Sequence, residues 1–212
     1  MGHVPHLVVA APWESEELEL SLMQWRHLTK VLRMGRGDAV TYTDGLGRFG
    51  TGRLMSQAIR RGEETEVPRP SELTMAVAPP SSKDRQRFVV EKLAELGVAR
   101  LRWLATTHGK ERTASSSKVF AWTVAATEQS RGAWLMETPQ DVVEFSDLEP
   151  PVLICHAGGE GDPAPAKTVV IGPEGGFAPD EIPEDARIWD LGPTILRVET
   201  AAVVAAARII SK

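Results

Sequence analysis

The sequence predicts an α/β protein in two parts, a small all-β unit over residues 1–70 and an α/β unit with a mostly parallel sheet over residues 71–212. Three observations carry this. Arg36 to Leu54 alternates apolar and polar residues around a glycine-rich turn, the pattern of paired short strands. From Leu73 onward, short apolar runs alternate with segments of helical periodicity, the pattern of strand–helix–strand units. Between them, Ile59 to Leu73 is polar, broken at Pro68 and Pro70 and without periodicity, and the boundary is placed there.

The elements follow in order. Gln24 to Met34 places Trp25, Leu28, Val31 and Leu32 at helical spacing, so a helix closed by Gly35 is expected before the strands of Arg36–Leu54. In the second part Leu73–Ala78 reads as an apolar strand. Ser81 and Ser82 can start a helix over Asp84–Leu96 that Gly97 closes. A strand over Val98–Ala105 and a helix within Ser117–Arg131 come next. Apolar strands at Val152–Cys155, Val169–Ile171 and near Ile188–Leu191 precede a terminal Ala/Val-rich helix from about Thr200 to Ile210. In a sheet of this kind ligands sit at the carboxyl ends of the strands.

At 212 residues and 42% hydrophobic content the chain can bury a real core, which excludes a disordered or fibrous protein. The longest apolar run, Ala201 to Ala207, is far short of the roughly 20 residues that cross a bilayer. The Met1–Pro5 start has no basic segment followed by an apolar one, so a soluble, unexported, cytoplasmic protein is expected. Cys155 is the single cysteine, and it and the five histidines make no common zinc spacing, so neither a disulfide framework nor a bound metal is expected. The net charge of −5 hides a segregation. Residues 20–61 carry eight basic side chains against two acidic, residues 83–118 nine against four, and residues 119–212 six against fifteen. A polyanion is a plausible partner for the two basic segments, although clustering in sequence need not be clustering in space.

Two segments match a dinucleotide-binding expression and fail in context. Gly45–Gly50 leads into another strand-like stretch and fits a hairpin, and Gly159–Ala164 runs into Pro163 and Pro165 with no room for a phosphate-binding helix. More informative is an arrangement seen three times, an apolar strand followed at once by a glycine-containing irregular loop: Leu153–Gly159, Val169–Phe177 and Trp189–Thr200. Glycine permits close backbone approach, and proline after Gly172 and Gly192 removes a donor and fixes φ. Such loops expose main-chain amides and carbonyls. A small molecule held mainly by backbone is the functional reading, and tight turns between strands the plain one.

Ile171-Gly-Pro-Glu-Gly-Gly-Phe177, together with Leu191-Gly-Pro-Thr-Ile-Leu-Arg-Val-Glu-Thr-Ala201, resembles the paired signature of the RsmE family, SPOUT-superfamily methyltransferases that modify N3 of one uridine in bacterial 16S ribosomal RNA. The resemblance extends to Lys83-Asp-Arg85 with Val90–Val98, to Glu128-Gln129, and to His27–Arg33 followed by Gly37-Asp38. It implies an N-terminal PUA-like β-barrel that binds RNA and a C-terminal SPOUT α/β domain with a deep trefoil knot made of the three glycine-rich loops. It further implies S-adenosylmethionine as cofactor, 16S rRNA or the small ribosomal subunit as partner, and a homodimer that completes the site. Carried over by motif, the cofactor contacts fall on Gly172, Glu174, Gly175, Leu191, Gly192, Ile195, Leu196 and Arg197, with Ala157 and Gly158 from the preceding loop. Thr194 stands where the family usually has arginine, and His156-Ala-Gly-Gly159 departs from the usual loop before Gly172.

The uridine N3 is a poor nucleophile until its imide proton leaves, so a base, or a cation that stabilises the anion, is required. Arg197 is expected to steady the uracil and Glu199 to orient the loop; both could equally pair with other loop groups. Because N3 lies on the Watson–Crick edge, the base must be unpaired or flipped, and recognition moves to RNA shape and phosphates. Lys30, Arg33, Arg36, Lys83 and Arg85 are the expected phosphate contacts. Arg33 could instead pair with Asp38. Cys155 and His156 are expected to be non-catalytic. Other readings are a SPOUT methyltransferase acting on another RNA and a non-catalytic RNA-binding homologue.

Overall fold

The computed structural model describes residues 4–109, 112–160, 163, 165–183 and 186–211. Gly161, Asp162 and Ala164 of the second dinucleotide-like segment, and the first three residues, lie outside the described residues. The chain divides into two compact units: residues up to Arg69 together with Thr127–Leu135, and Pro70–Ala126 together with residues 136 onward.

The first unit is a curled half-barrel. Its strands are β1 (His6–Val8), β2 (Glu17–Glu19), β3 (Ala39–Thr43), β4 (Arg48–Leu54) and β5 (Ala58–Glu66), in the order β1-β3-β4-β5-β2. β1 runs parallel to β3 and the other pairs are antiparallel. The Gly45–Gly50 segment turns the β3–β4 hairpin, where Asp44 Oδ1 accepts from the amides of Leu46 at 2.7 Å and Arg48 at 3.1 Å. A register shift between Gly50 and Gly52 bends β4 against β5, as a bulge does. Tyr42, Trp13, Leu28, Leu54 and Ile59 form the buried centre. Tyr42 donates to Glu64 at 2.9 Å, and burial together with that carboxylate pushes its phenol up to about 12. Residues 127–135 belong to this unit through His6 Nε2 to the Gly132 carbonyl at 3.1 Å and Trp134 Nε1 donating to the Val67 carbonyl at 2.8 Å.

The helix expected over Gln24–Met34 is corrected in kind and in end point. A short helix α1 (Leu22–Arg26), capped by Ser21 and Gln24, widens into a π-helical turn over His27–Val31. The Thr29 hydroxyl donates to the Trp25 carbonyl at 2.8 Å, an intrahelical bond that competes with the regular ladder, and the Leu32 amide reaches back five residues to His27. The chain turns at Arg33, whose φ is 57°, not at Gly35. Only Leu28 of the supposed apolar stripe is fully buried; Val31 is 64% exposed, so no burial enforced the longer helix.

Among the described residues the second unit holds six parallel strands, β6 (Thr74–Val77), β7 (Arg100–Leu104), β8 (Val142–Val143), β9 (Val152–Glu160), β10 (Thr168–Ile171) and β11 (Arg187–Trp189), in the order β11-β9-β10-β6-β7-β8. β6 and β10 are buried at every position, as central strands of a parallel sheet covered on both faces are. Helix α2 (Lys83–Glu95) starts at Ser82, whose hydroxyl accepts from the Arg85 amide at 3.3 Å. Helix α3 spans Ser116–Ser130. Helix α4 (Val198–Ile210) buries Val198, Ala201, Ala202, Ala205 and Ala206, small side chains that let it lie close on α2, β10 and β6. Fully buried Gln86 donates to the Pro80 and Arg112 carbonyls at 2.8 and 3.0 Å and accepts from the Ala114 amide at 2.8 Å, fixing the chain beside α2. Since β11 lies at one sheet edge and α4 packs over β10 and β6, residues 190–197 lead the chain from that edge back toward the middle of the sheet.

Candidate active site

Three segments converge at the carboxyl ends of β9, β10 and β11. Residues 156–159 do not form the irregular loop expected of them: β9 continues through them to Glu160, and the register jumps from Ile188 opposite Ile154 to Trp189 opposite Glu160. The intervening Cys155–Gly159 bulges out, with Gly158 in the left-handed region at φ 83°. Asp190 closes this bulge. Its Oδ2 accepts from the Gly158 amide at 3.1 Å and its Oδ1 from the Gly192 amide at 2.9 Å. These two main-chain donors hold the Asp190 carboxyl below its usual range.

After β10 the chain turns at Gly172–Phe177, with the Gly176 amide donating to the Pro173 carbonyl at 3.0 Å. A Cβ at Gly172 would stand 2.6 Å from the Phe177 ring, so only glycine leaves that ring its place. Phe177 meets Phe145 edge-on at 5.5 Å. The far end of the turn is tied to the loop after β7. His108 Nδ1 pairs with the Gly176 carbonyl at 2.9 Å, and Glu181 accepts from the Ala178 amide at 2.6 Å and from the Thr107 amide. These ties were not anticipated from the sequence.

The third segment runs from Asp190 to α4. Gly192 has φ 139°, Ile195 is 99% exposed, and Leu191 and Leu196 lean on the core. Arg197 is exposed and makes no ion pair among the described residues. Glu199, in the first turn of α4, is paired. Arg85 Nη2 donates to Glu199 Oε2 at 2.6 Å and to Glu174 Oε1 at 2.5 Å. Partial burial is the largest single influence on the Glu199 carboxyl and works to raise it, but the Arg85 hydrogen bond, a main-chain hydrogen bond and the charges of Arg85 and Arg197 together outweigh it and the net shift is downward. Both carboxylates hold the Arg85 guanidinium firmly protonated.

The expected cofactor residues Ala157, Gly158, Gly172, Glu174, Gly175, Leu191, Gly192, Ile195, Leu196 and Arg197 therefore lie on three neighbouring segments at one sheet edge. Arg85, expected on phosphate, is engaged there by two carboxylates. Lys83 is exposed at the start of α2. In the first unit Lys30, Arg33 and Arg36 are exposed on or just after the π-helical turn, and Asp38 accepts from the Gly35 amide at 2.8 Å instead of pairing with Arg33. Cys155 is half-buried, and burial pushes its thiol up to about 12, far from a nucleophile's range.

The edge presents amides, carbonyls and a few charged side chains, which suits a small polar ligand bound through main chain. Residues 67–210 match the RNA methyltransferase domain family. A protein of Mycobacterium bovis named ribosomal RNA small subunit methyltransferase E is 32% identical, over 84% of this chain and 80% of its own length. The structure of a methyltransferase from Legionella pneumophila with bound SAM superposes with a TM-score of 0.84 at 26% identity, covering 99% of this chain and 98% of that one. A ribosomal RNA small subunit methyltransferase E from Neisseria gonorrhoeae, bound to S-adenosylmethionine, shares the fold with a TM-score of 0.81 at 24% identity, covering 99% of this chain and 98% of that one.

Proposed function

This chain belongs to the RNA methyltransferase family, and we propose that it transfers a methyl group from S-adenosylmethionine to N3 of a uridine in 16S ribosomal RNA. The observation that carries the site assignment is the convergence of Gly158, Gly172 and Gly192 on one sheet edge, where their segments are held by Asp190, Phe177 and Arg85. That cradle fits the donor: at Gly158 and Gly192 nothing lies within 4 Å of where a Cβ would stand, so a ligand can approach the main chain closely there, beside the exposed side chain of Ile195. When bound, S-adenosylmethionine supplies an electrophilic methyl group on a sulfonium centre.

The chain's own work is to place the acceptor and to manage charge. The N3–H bond of uridine must break for N3 to form its bond to carbon, and the anion that develops needs a cation close by. Arg197 is exposed beside the cradle without an ion-pair partner among the described residues, which supports it as the group that steadies the uracil. Glu199 is occupied by Arg85, which supports an orienting role for it. Residues 1–70 are proposed as the RNA-binding domain, with Lys30, Arg33 and Arg36 on phosphates, and Lys83 of the second unit is proposed as a further phosphate contact. An aliphatic side chain as bare as Ile195 favours a second copy of the chain over this loop, and so a homodimer. None of the described helices is long and apolar enough to cross a membrane, and the RNA substrate argues for a cytoplasmic place.

The test is calorimetric titration with S-adenosylmethionine, followed by mass spectrometry of 16S rRNA from cells with and without the gene. Binding of the donor and loss of one methylated uridine are expected; a protein that binds no donor, or an unchanged RNA, overturns the reading. An Arg197→Ala protein should bind the donor normally and methylate poorly, and full methylation by it removes Arg197 from its role.

A further inference from the structure

The geometry points to Arg85 as a positioning residue, a clamp that joins the Gly172–Phe177 turn to the first turn of α4 and thereby sets the width of the cradle; this inference rests on the proposed function for its catalytic meaning. One nitrogen of Arg85 donates to carboxylates from two different segments, Glu174 at the tip of the turn and Glu199 in α4. These partners are 89 and 114 residues away in sequence, so no local geometry brings them together. The Phe177 end of the turn is already fixed, by His108 on Gly176 and by Glu181 on Ala178. Its tip is held otherwise: Glu174 is more than half exposed and Arg85 is its only ion-pair partner among the described residues.

The pose of Arg85 is built. Its own amide is caught by Ser82 and its Nη1 lies 3.4 Å from Ser81, so the start of α2 aims the side chain. Its side chain is only 22% exposed, and its Nε is buried without an acceptor among the described residues. A guanidinium that commits both N–H groups of one nitrogen to two carboxylates is doing mechanical work between them, and it is poorly placed to grip an RNA phosphate as well. With Arg85 removed, Glu174 and Glu199 become two nearby carboxylates with no cation between them, and the two segments are pushed apart.

The test has two arms on the full chain. In donor-free protein, amide hydrogen exchange at residues 174–177 and 199–201 should quicken in Arg85→Gln and, at 174–177 alone, in Glu174→Gln. Unchanged exchange in both variants overturns the clamp whether or not the protein binds a donor, whereas a parent protein that binds no donor strikes only at the proposed function. In the second arm, Arg85→Gln should weaken S-adenosylmethionine binding and raise its KM by about tenfold, roughly the loss of one charge-assisted hydrogen bond. RNA affinity and its salt slope should stay within about twofold, because phosphate contacts set that slope. Arg85→Lys, which keeps the charge, should recover part of the loss. Full donor affinity with weakened RNA binding assigns Arg85 to phosphate instead and overturns the proposal. Should Arg85→Gln fail to fold by circular dichroism, Glu174→Gln, at an exposed tip, carries the same comparison.

Discussion

The packing of Phe177 against Gly172 gives a sharp test of how the turn after β10 is held. In Gly172→Ala the new Cβ would stand 2.6 Å from Phe177 Cε2 and 2.7 Å from Cζ. Carbon atoms rest at about 3.5–4.0 Å, so the ring must retreat by about 1 Å. It has little room to do so, since Phe145 stands edge-on at 5.5 Å with the rings inclined at 66°. Gly172 is not among the glycines in the left-handed region, so alanine's backbone fits and the whole effect comes from the ring. Overpacking of this kind costs about 1–3 kcal/mol. For a chain of this size that is a fall in Tm of about 2–12 °C. Differential scanning calorimetry measures it, and donor titration reads whether the turn has moved. The double variant Gly172→Ala/Phe177→Leu, which shrinks the obstructing side chain, should recover much of both losses. A Gly172→Ala protein that melts and binds like the parent refutes the reasoning, and a double variant no better than the single one shows that the ring is not the obstacle.

Acid should loosen the same edge. The Asp190 and Glu199 carboxyls are held low in the folded chain, so the stability they contribute is present above the ordinary carboxylate pKa of about 4 and is lost as pH falls through their lower folded values. Thermal melts from pH 6 to pH 2 should show this decline, and Asp190→Asn should make it shallower; an identical acid limb refutes the role given to Asp190. Lys30→Ala, Arg33→Ala and Arg36→Ala should each weaken RNA binding and reduce the slope of log affinity against log salt by about 0.7–0.9, with donor binding untouched; a slope unchanged in all three removes the π-helical turn from the RNA contact. With its thiol pushed up to about 12, Cys155 should react with iodoacetamide at pH 8 far more slowly in the folded chain than in urea, and equal rates would contradict its burial.

The strand–helix alternation of the second unit was legible because each segment's period agrees with what it buries. Val169–Ile171 is apolar without interruption and becomes β10, enclosed on both faces, and Ser82 and Gly97 mark the two ends of α2 by capping chemistry that needs no partner from elsewhere. Where sequence and burial disagree, the reading fails. Trp25, Val31 and Leu32 have helical spacing, but only Leu28 is fully buried and Val31 and Leu32 are exposed, so with little core contact past Leu28 the Thr29 hydroxyl and the Arg33 turn decide the backbone. Residues 156–159 fail in the opposite sense: their glycines suggest a loop, but β11 offers unpaired edge groups and draws the chain on to Glu160 through a bulge.

The site divides along the same line. Glycines reveal themselves in sequence because glycine alone has no Cβ to crowd a neighbour and takes φ above zero without strain, so Gly158, Gly172 and Gly192 could be singled out one at a time. The side chains that hold them carry no such mark. An aspartate before a Leu-Gly-Pro turn hints at a cap for Gly192, yet nothing local shows that the other oxygen of Asp190 reaches Gly158, 32 residues earlier. Arg85 reads in the sequence as one cation in a basic stretch, and phosphate is the natural guess for it. Only the strand order β9-β10-β6, with α4 lying against α2, brings Glu174 and Glu199 within reach of one guanidinium. A charge's role is set by what surrounds it after the crossover, so a signature read along the chain picks out the glycines of the proposed cradle and misses its fastenings.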